Sequence, residues 1–231
     1  MAILPKAPAK RALVGAFLMS FGFGGLHVLA AYWSVAPHGD DTIYIHITWM
    51  FLVILLITGF GNFIYVFVAA IGKLFHLGKA TWSQLGINFM FFSILTVGLL
   101  AATTMALGIR LGAFKAITVR GAPLIAAIEK YQAKEGKLPA DVYDLTPDYL
   151  PAIPGTGVGS YPRYEYLTNS IASKYGGNPW ILSVDITSDS LTRETLFYYP
   201  QQNYPKPPEV VSTHRMGKWA DITVTKSSGE K

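Results

Sequence analysis

The stretch Thr42–Gly72, TIYIHITWMFLVILLITGFGNFIYVFVAAIG, contains no Asp, Glu, Lys or Arg. A bilayer core of about 30 Å is crossed by roughly 20 apolar residues wound as a helix, which satisfies all of its own backbone hydrogen bonds. The stretch therefore reads as a membrane span, and there are two more like it. Ala12–Gly39 and Ala80–Ile109 also lack all four charged residue types. Spans are expected over residues 12–36, 43–72 and 85–110, making residues 1–110 a three-helix transmembrane region. Residues 111–231 carry most of the charge and most of the proline, as a separate water-facing domain would.

The formal charge of +5 comes with no Lys/Arg cluster, and part of the excess flanks the spans, so no nucleic-acid partner is expected. The absence of cysteine excludes disulfides, Fe–S clusters, thiolate zinc and cysteine nucleophiles. Positive charges favour cytoplasmic flanks. Lys6, Lys10 and Arg11 precede the first span, and Lys73 and Lys79 lie in the second loop, whereas the loop around Pro37-His38-Gly39-Asp40-Asp41 has no Lys or Arg. This places the amino terminus in the cytoplasm and the domain in the periplasm, with the chain in the inner (cytoplasmic) membrane of a bacterium. Arg110, Lys115 and Arg120 run against the rule. Lys10-Arg11 and Ser34-Val35-Ala36 also fit a signal-peptide pattern, read here as a retained first span.

Within the spans, Ala16, Ser20 and Gly24 share one helical face, and Gly98, Ala102 and Ala106 form a second stripe. Small residues in such rows allow close helix approach, within the chain or with a partner. Tyr32, Trp33, Tyr44 and Trp49 suit an outer aromatic belt and Trp82 an inner one. Gly59-Phe60-Gly61-Asn62 falls near the middle of an over-long run, where tilt or a local distortion would absorb the excess. Asn62 and Asn88 are expected to hydrogen-bond between helices. None of the three charge-free runs holds an Asp, Glu, Lys or Arg, which argues against a pump, proton relay or transporter.

His38, Asp40, Asp41 and His46, with His27 inside the first span, are the residues whose chemistry could hold zinc, copper or iron. Their spacing matches no helical metal pair, and a hydrated turn accounts for Asp40-Asp41 without a ligand. His27 alone could ligate haem or a pigment, or simply be a hydrogen-bonded packing histidine. No catalytic, cofactor or metal residue is therefore assigned, and no cofactor is expected.

In the second half, Leu124, Ile128 and Tyr131 share one face of a helix that ends near Gly136, with Gly121 and Pro123 as points of kink or break. Leu138-Pro139-Ala140-Asp141 and Leu145-Thr146-Pro147-Asp148 predict two brief helical turns. Strand-like runs follow at Tyr164–Leu167, Trp180–Ile186, Thr195–Tyr199 and Lys218–Thr225. Trp180, Leu182, Val184 and Ile186 alternate, as in a sheet with one face on a helix. The expected fold class is membrane α-helical plus α+β, with about four antiparallel strands against a long helix.

The run Ala122–Tyr131, then Gly136-Lys137-Leu138-Pro139, Leu145, Tyr149-Leu150 and Ile153-Pro154, resembles the globular half of type IV pilins and type II secretion pseudopilins. That resemblance implies a membrane helix continuing into the helix that backs an antiparallel sheet. The chain departs from the family in its two extra spans and in lacking the Gly-Phe junction with Glu at the fifth mature position. The calcium loop of some pseudopilins has no clear counterpart.

The domain holds no recognisable triad, P-loop or dinucleotide fingerprint, and His214 is read as a surface histidine. Tyr198-Tyr199-Pro200 through Pro207-Pro208 is either a docking edge for another protein or a loop packed on its own sheet. The Lys226–Lys231 tail is expected to fray. These observations point to a non-enzymatic accessory or scaffold subunit whose partners are the lipid bilayer and other membrane protein subunits. The alternatives are a His-based metal, haem or pigment-binding subunit of a redox or photosynthetic complex, and a component of a secretion or pilus machine.

Overall fold

The computed structural model describes residues 7–75, 82–173, 176–187, 192–204 and 210–225. Lys6, Lys79, the Pro205–Pro208 stretch and the Lys226–Lys231 tail lie outside the described residues. The chain divides into two compact units, one of residues 1–33 and 42–110, the other of residues 34–41 and 111–231.

The first unit is built from helices α1 (Ala7–Ser34), α2 (Asp41–Leu74) and α3 (Trp82–Arg120), the last as far as Arg110. All three are long and apolar enough to cross a membrane. The two small-residue stripes meet: a Cβ on Gly98 would stand 2.6 Å from that of Ser20, and one on Gly24 would stand 2.9 Å from that of Ala102. The Ser20 hydroxyl donates to the Ala16 carbonyl at 2.8 Å, so the seam is closed without an unmet polar group there. Phe51, Leu95, Leu99 and Ala102 form the adjoining core. α2 runs unbroken through Gly59–Asn62 and spans about 50 Å at 1.5 Å per residue. Its excess length is therefore not absorbed by a break in the helix. Its outward side chains, among them Leu56, Ile57, Phe63 and Val68, are exposed.

The second unit begins with the end of α3 and continues into α4 (Ala122–Glu135). The junction residue Gly121 keeps helical torsions, φ −73° and ψ −15°. A side chain there would meet the Trp219 ring at 2.9 Å and the Tyr164 ring at 3.2 Å, so packing demands glycine. Gly136, at φ 67°, ends α4 by donating its N–H to the Gln132 carbonyl. Of the two expected short helical turns, only Val142–Leu145 forms, as a 3-10 turn capped reciprocally by Asp141 and Asp144. Residues 146–149 make a plain turn.

The sheet has five strands rather than about four: β1 (Glu165–Thr168), β2 (Trp180–Asp185), β3 (Thr192–Tyr198), β4 (Val210–Met216) and β5 (Trp219–Thr225). All pairs are antiparallel in the order β1-β2-β3-β5-β4. The missing strand in the sequence reading was β4. It lies at an edge, is interrupted by a bulge between Val210 and Ser212, and carries polar Ser212, Thr213, His214 and Arg215. With one neighbour only, it needs little of the apolar alternation that marks an interior strand. A five-residue helix, α5 (Asn169–Ser173), joins β1 towards β2.

Leu124, Ala127 and Ile128 of α4 pack on Trp180, Leu182, Val184, Leu196 and Trp219. The opposite face of the sheet is covered too, by a smaller layer of Ala172, Ile181, Tyr199, Ala220 and Ile222. Two-sided burial explains why β2 is buried at five consecutive positions rather than alternately.

Candidate functional site

Two arrangements collect the unusual polar groups. In the first unit, four side chains from three helices stack as a column. The His27 ring lies 4.4 Å from the Phe51 ring at an interplanar angle of 9°, and 5.6 Å from Tyr44 at 29°. The Arg110 guanidinium lies over the Tyr44 ring, 4.4 Å from its centroid. His27 is 1% exposed and Arg110 is 4% exposed. The local sequence explains the placement: His27 continues the Ser20–Gly24 stripe of α1, and Arg110 continues the Ala102–Ala106 stripe of α3. A desolvated guanidinium on an aromatic face gains about 2 kcal/mol, which helps hold a charge away from water.

The Phe51 and Tyr44 rings both stack on His27, and its Nδ1 is shielded from solvent. That Nδ1 has no hydrogen-bond partner among the described residues. His46 lies on α2 and points its Nδ1 back to the Thr42 carbonyl at 2.7 Å, as a helix residue bonding to its own preceding turn. Among the described residues no group of three or more His, Asp or Glu side chains gathers to hold a metal.

His38, Asp40 and Asp41 fall in the second unit, in the segment between α1 and α2. Here they meet a loop that sequence reading treated only as Pro/Gly-rich. The Gly159 N–H donates to the Ala36 carbonyl at 2.9 Å, the Ser160 hydroxyl to the Ser34 carbonyl at 2.8 Å, and the Tyr161 hydroxyl to the Asp41 carboxylate. Gly159 comes so near that a Cβ would lie 2.7 Å from backbone atoms of Gly39. Asp41 is thus a clasp residue, while His38 and Asp40 are exposed beside it. The base of the loop is held in turn. Buried Thr156 donates its hydroxyl to the Tyr161 carbonyl, accepts from the Val158 N–H at 3.1 Å, and receives Arg120 Nη1 on its own carbonyl at 2.8 Å.

Burial also shifts several titratable groups of this unit. Burial raises Tyr164 to about 12, against the opposing pull of Arg120, and its hydroxyl donates to the Ile117 carbonyl at 2.6 Å. Burial, with Glu129 and Tyr204 adding to it, pushes Tyr198 to about 12. Asp221, on β5, has its carboxyl raised by burial and partly restored by His214, its cross-strand neighbour on β4. His214 is exposed, as expected of a surface histidine, and lies opposite Asp221 across the strand pair. Arg110, Gly159 and Arg120 were the residues that sequence reasoning missed. The continuation of the Ala102–Ala106 spacing to position 110 was the one available signal.

No family model, curated protein or solved structure matches this chain.

Proposed function

We propose that the chain is a membrane-anchored accessory or scaffold subunit, with three spans packed against other membrane proteins and a protein-contact domain in the periplasm. The observation that carries this reading is α2: over its 34 residues the only buried one is Phe51. Large side chains such as Leu56, Phe60 and Phe67 project outward around it. Lipid covers such a surface, and so does a neighbouring helix.

The clasp supports the side on which the domain lies. Residues 34–41 and 111–231 form one compact unit, and they are separated in the chain by the remainder of α2 and the membrane part of α3. Two crossings between them return the chain to the same side, and the lack of Arg and Lys in the loop at Pro37–Asp41 favours the periplasm for that side. Arg110 and Arg120 are engaged by Tyr44 and Thr156, which accounts for cations near the end of the third span.

Photo-cross-linkers at Ile57 and Val68, on the outward face of α2, test the reading in cells. Discrete adducts to other membrane proteins are expected. Adducts to lipid alone at both positions would remove the scaffold role. The pilus or secretion alternative draws on the continuation of α3 and α4 into an antiparallel sheet.

A further inference from the structure

A cleft of about 450 Å³ lies within the second unit. Lys115 and Val119 of α3 and Ala122 and Ile125 of α4 stand on its helix wall, Met216 and Lys218 at the β4–β5 turn on its sheet wall. The four helix residues recur every three or four positions and so make one stripe, beside the core face of Leu124, Ala127 and Ile128. Val119 is 65% exposed, so the chain itself does not close the stripe. Three cations follow the third span against the charge rule, and two of them are engaged within the chain, Arg110 by the Tyr44 ring and Arg120 by the Thr156 carbonyl. The third, Lys115, forms no ion pair among the described residues, and neither does Lys218 across the cleft. Both are held by their backbones. The Thr118 hydroxyl donates to the Lys115 carbonyl at 2.8 Å, and Gln202 Nε2, at 3.3 Å, and the Tyr204 hydroxyl donate to that of Lys218. Two like charges fixed in one cleft repel each other until an anion joins them. Glu129 also lines the cleft, but it stands roughly 20 Å further along the helices than Lys115 and receives the Tyr198 hydroxyl.

We infer that this cleft binds the headgroup of an anionic glycerophospholipid from the surrounding bilayer, its phosphate taken by Lys115 and Lys218 and its acyl chains left in the membrane. Depth, charge and the apolar stripe select this occupant. Lys115 lies about 7.5 Å past Arg110 along α3, and the headgroup layer adds about 5–7.5 Å to each side of the hydrocarbon core. Helical side chains slant towards the helix N-terminus, which for α3 is towards the bilayer. Lysines at this depth attract anionic lipid. A free phosphate leaves Val119, Ala122 and Ile125 wet, whereas the glycerol carbons of a lipid headgroup cover them.

The inference rests on the membrane reading above and holds for either side of the membrane. The full-length chain, purified in neutral detergent, is titrated with phosphatidylglycerol or phosphatidylcholine, and bound lipid is counted by native mass measurement. One phosphatidylglycerol per chain is expected to be retained in preference to phosphatidylcholine. Lys115→Gln and Lys218→Gln are each expected to cut retention about five-fold, and together about twenty-five-fold. Lys130→Gln with Lys134→Gln removes the same charge outside the cleft lining and is expected to leave retention unchanged. Ala122→Trp, at an exposed position of the cleft wall, is expected to block retention with no change of charge. An unaltered unfolding midpoint shows that each variant is folded. Should Ala122→Trp fail to fold, the lysine variants, which change only exposed side chains, decide the matter. Equal retention of phosphatidylcholine, a loss as large in the control pair, or full retention in the Lys115/Lys218 pair would overturn the inference. So would displacement of the lipid by inorganic phosphate at equal concentration, which would make the site one for a free anion. None of these outcomes bears on the adducts from Ile57 and Val68, so the scaffold role stands or fails separately.

Discussion

Arg120 Nη1 donates to the carbonyl of Thr156 at 2.8 Å, fastening the end of α3 to the loop that grips the α1–α2 segment. Beside it, Gly157 adopts φ 77°, and a Cβ there would stand 2.7 Å from the Arg120 Cζ. Gly157→Ala therefore combines left-handed strain of about 1–2 kcal/mol with loss of the arginine's seat. Arg120→Ala removes a charged hydrogen bond worth about 1.5–3 kcal/mol. Both variants are expected to lower the unfolding midpoint and to speed alkylation of a cysteine introduced at Ala36. Unchanged alkylation would show that the loop does not depend on this anchor.

The α1–α3 seam makes a contrasting pair of predictions. Gly98→Val drives a side chain into Ser20 and is expected to destabilise the purified protein by about 1–3 kcal/mol, the usual cost of overpacking. Gly25→Ala meets nothing within 4 Å and is expected to leave the midpoint in place or raise it slightly. Thermal unfolding in detergent distinguishes them.

Asp221 sets a pH dependence. Burial raises its carboxyl in the folded state, with Leu196 on β3 and His214 on β4 directly opposite and only His214 pulling it back down. The folded form then holds the proton more tightly than the unfolded chain. The stabilisation is complete below the unfolded carboxyl range and is lost as pH rises through the folded value. Asp221→Asn is expected to raise the midpoint at pH 7 relative to the parent, and the two should converge at about pH 3, below the ordinary aspartate range. A parent more stable than the asparagine variant at pH 7 would show an additional partner for the carboxylate.

Tyr164 and Tyr198 are the alkaline counterpart. Both are raised from 10.0 to about 12 by burial, so their contribution to stability is intact below pH 10 and is lost as pH climbs through about 12. Absorbance titration should show tyrosines that ionise late and together with unfolding. Tyr164→Phe, which also removes the bond to the Ile117 carbonyl, should shift that alkaline transition.

The sequence made the long helices, their small-residue seam, the α4 core face and four of five strands legible, because each follows from a local period or residue type. β4 escaped because an edge strand with a bulge can be polar along most of its length. The clasp escaped for a different reason. Gly159, Ser160 and Tyr161 act on residues more than a hundred positions earlier, and no local pattern encodes such a pairing. The candidate ligands His27, His38, Asp40, Asp41 and His46 were visible by type. Their environments, a ring stack, an exposed turn, a tyrosine bond and a backbone carbonyl, depended on tertiary placement.

The scaffold role is tested most directly by native mass measurement of the full-length chain released from its own membrane in lipid nanodiscs. The account predicts an assembly in which this 25.3 kDa chain remains bound to other membrane subunits in fixed ratio. A particle containing this chain alone, as one copy or two, would contradict it.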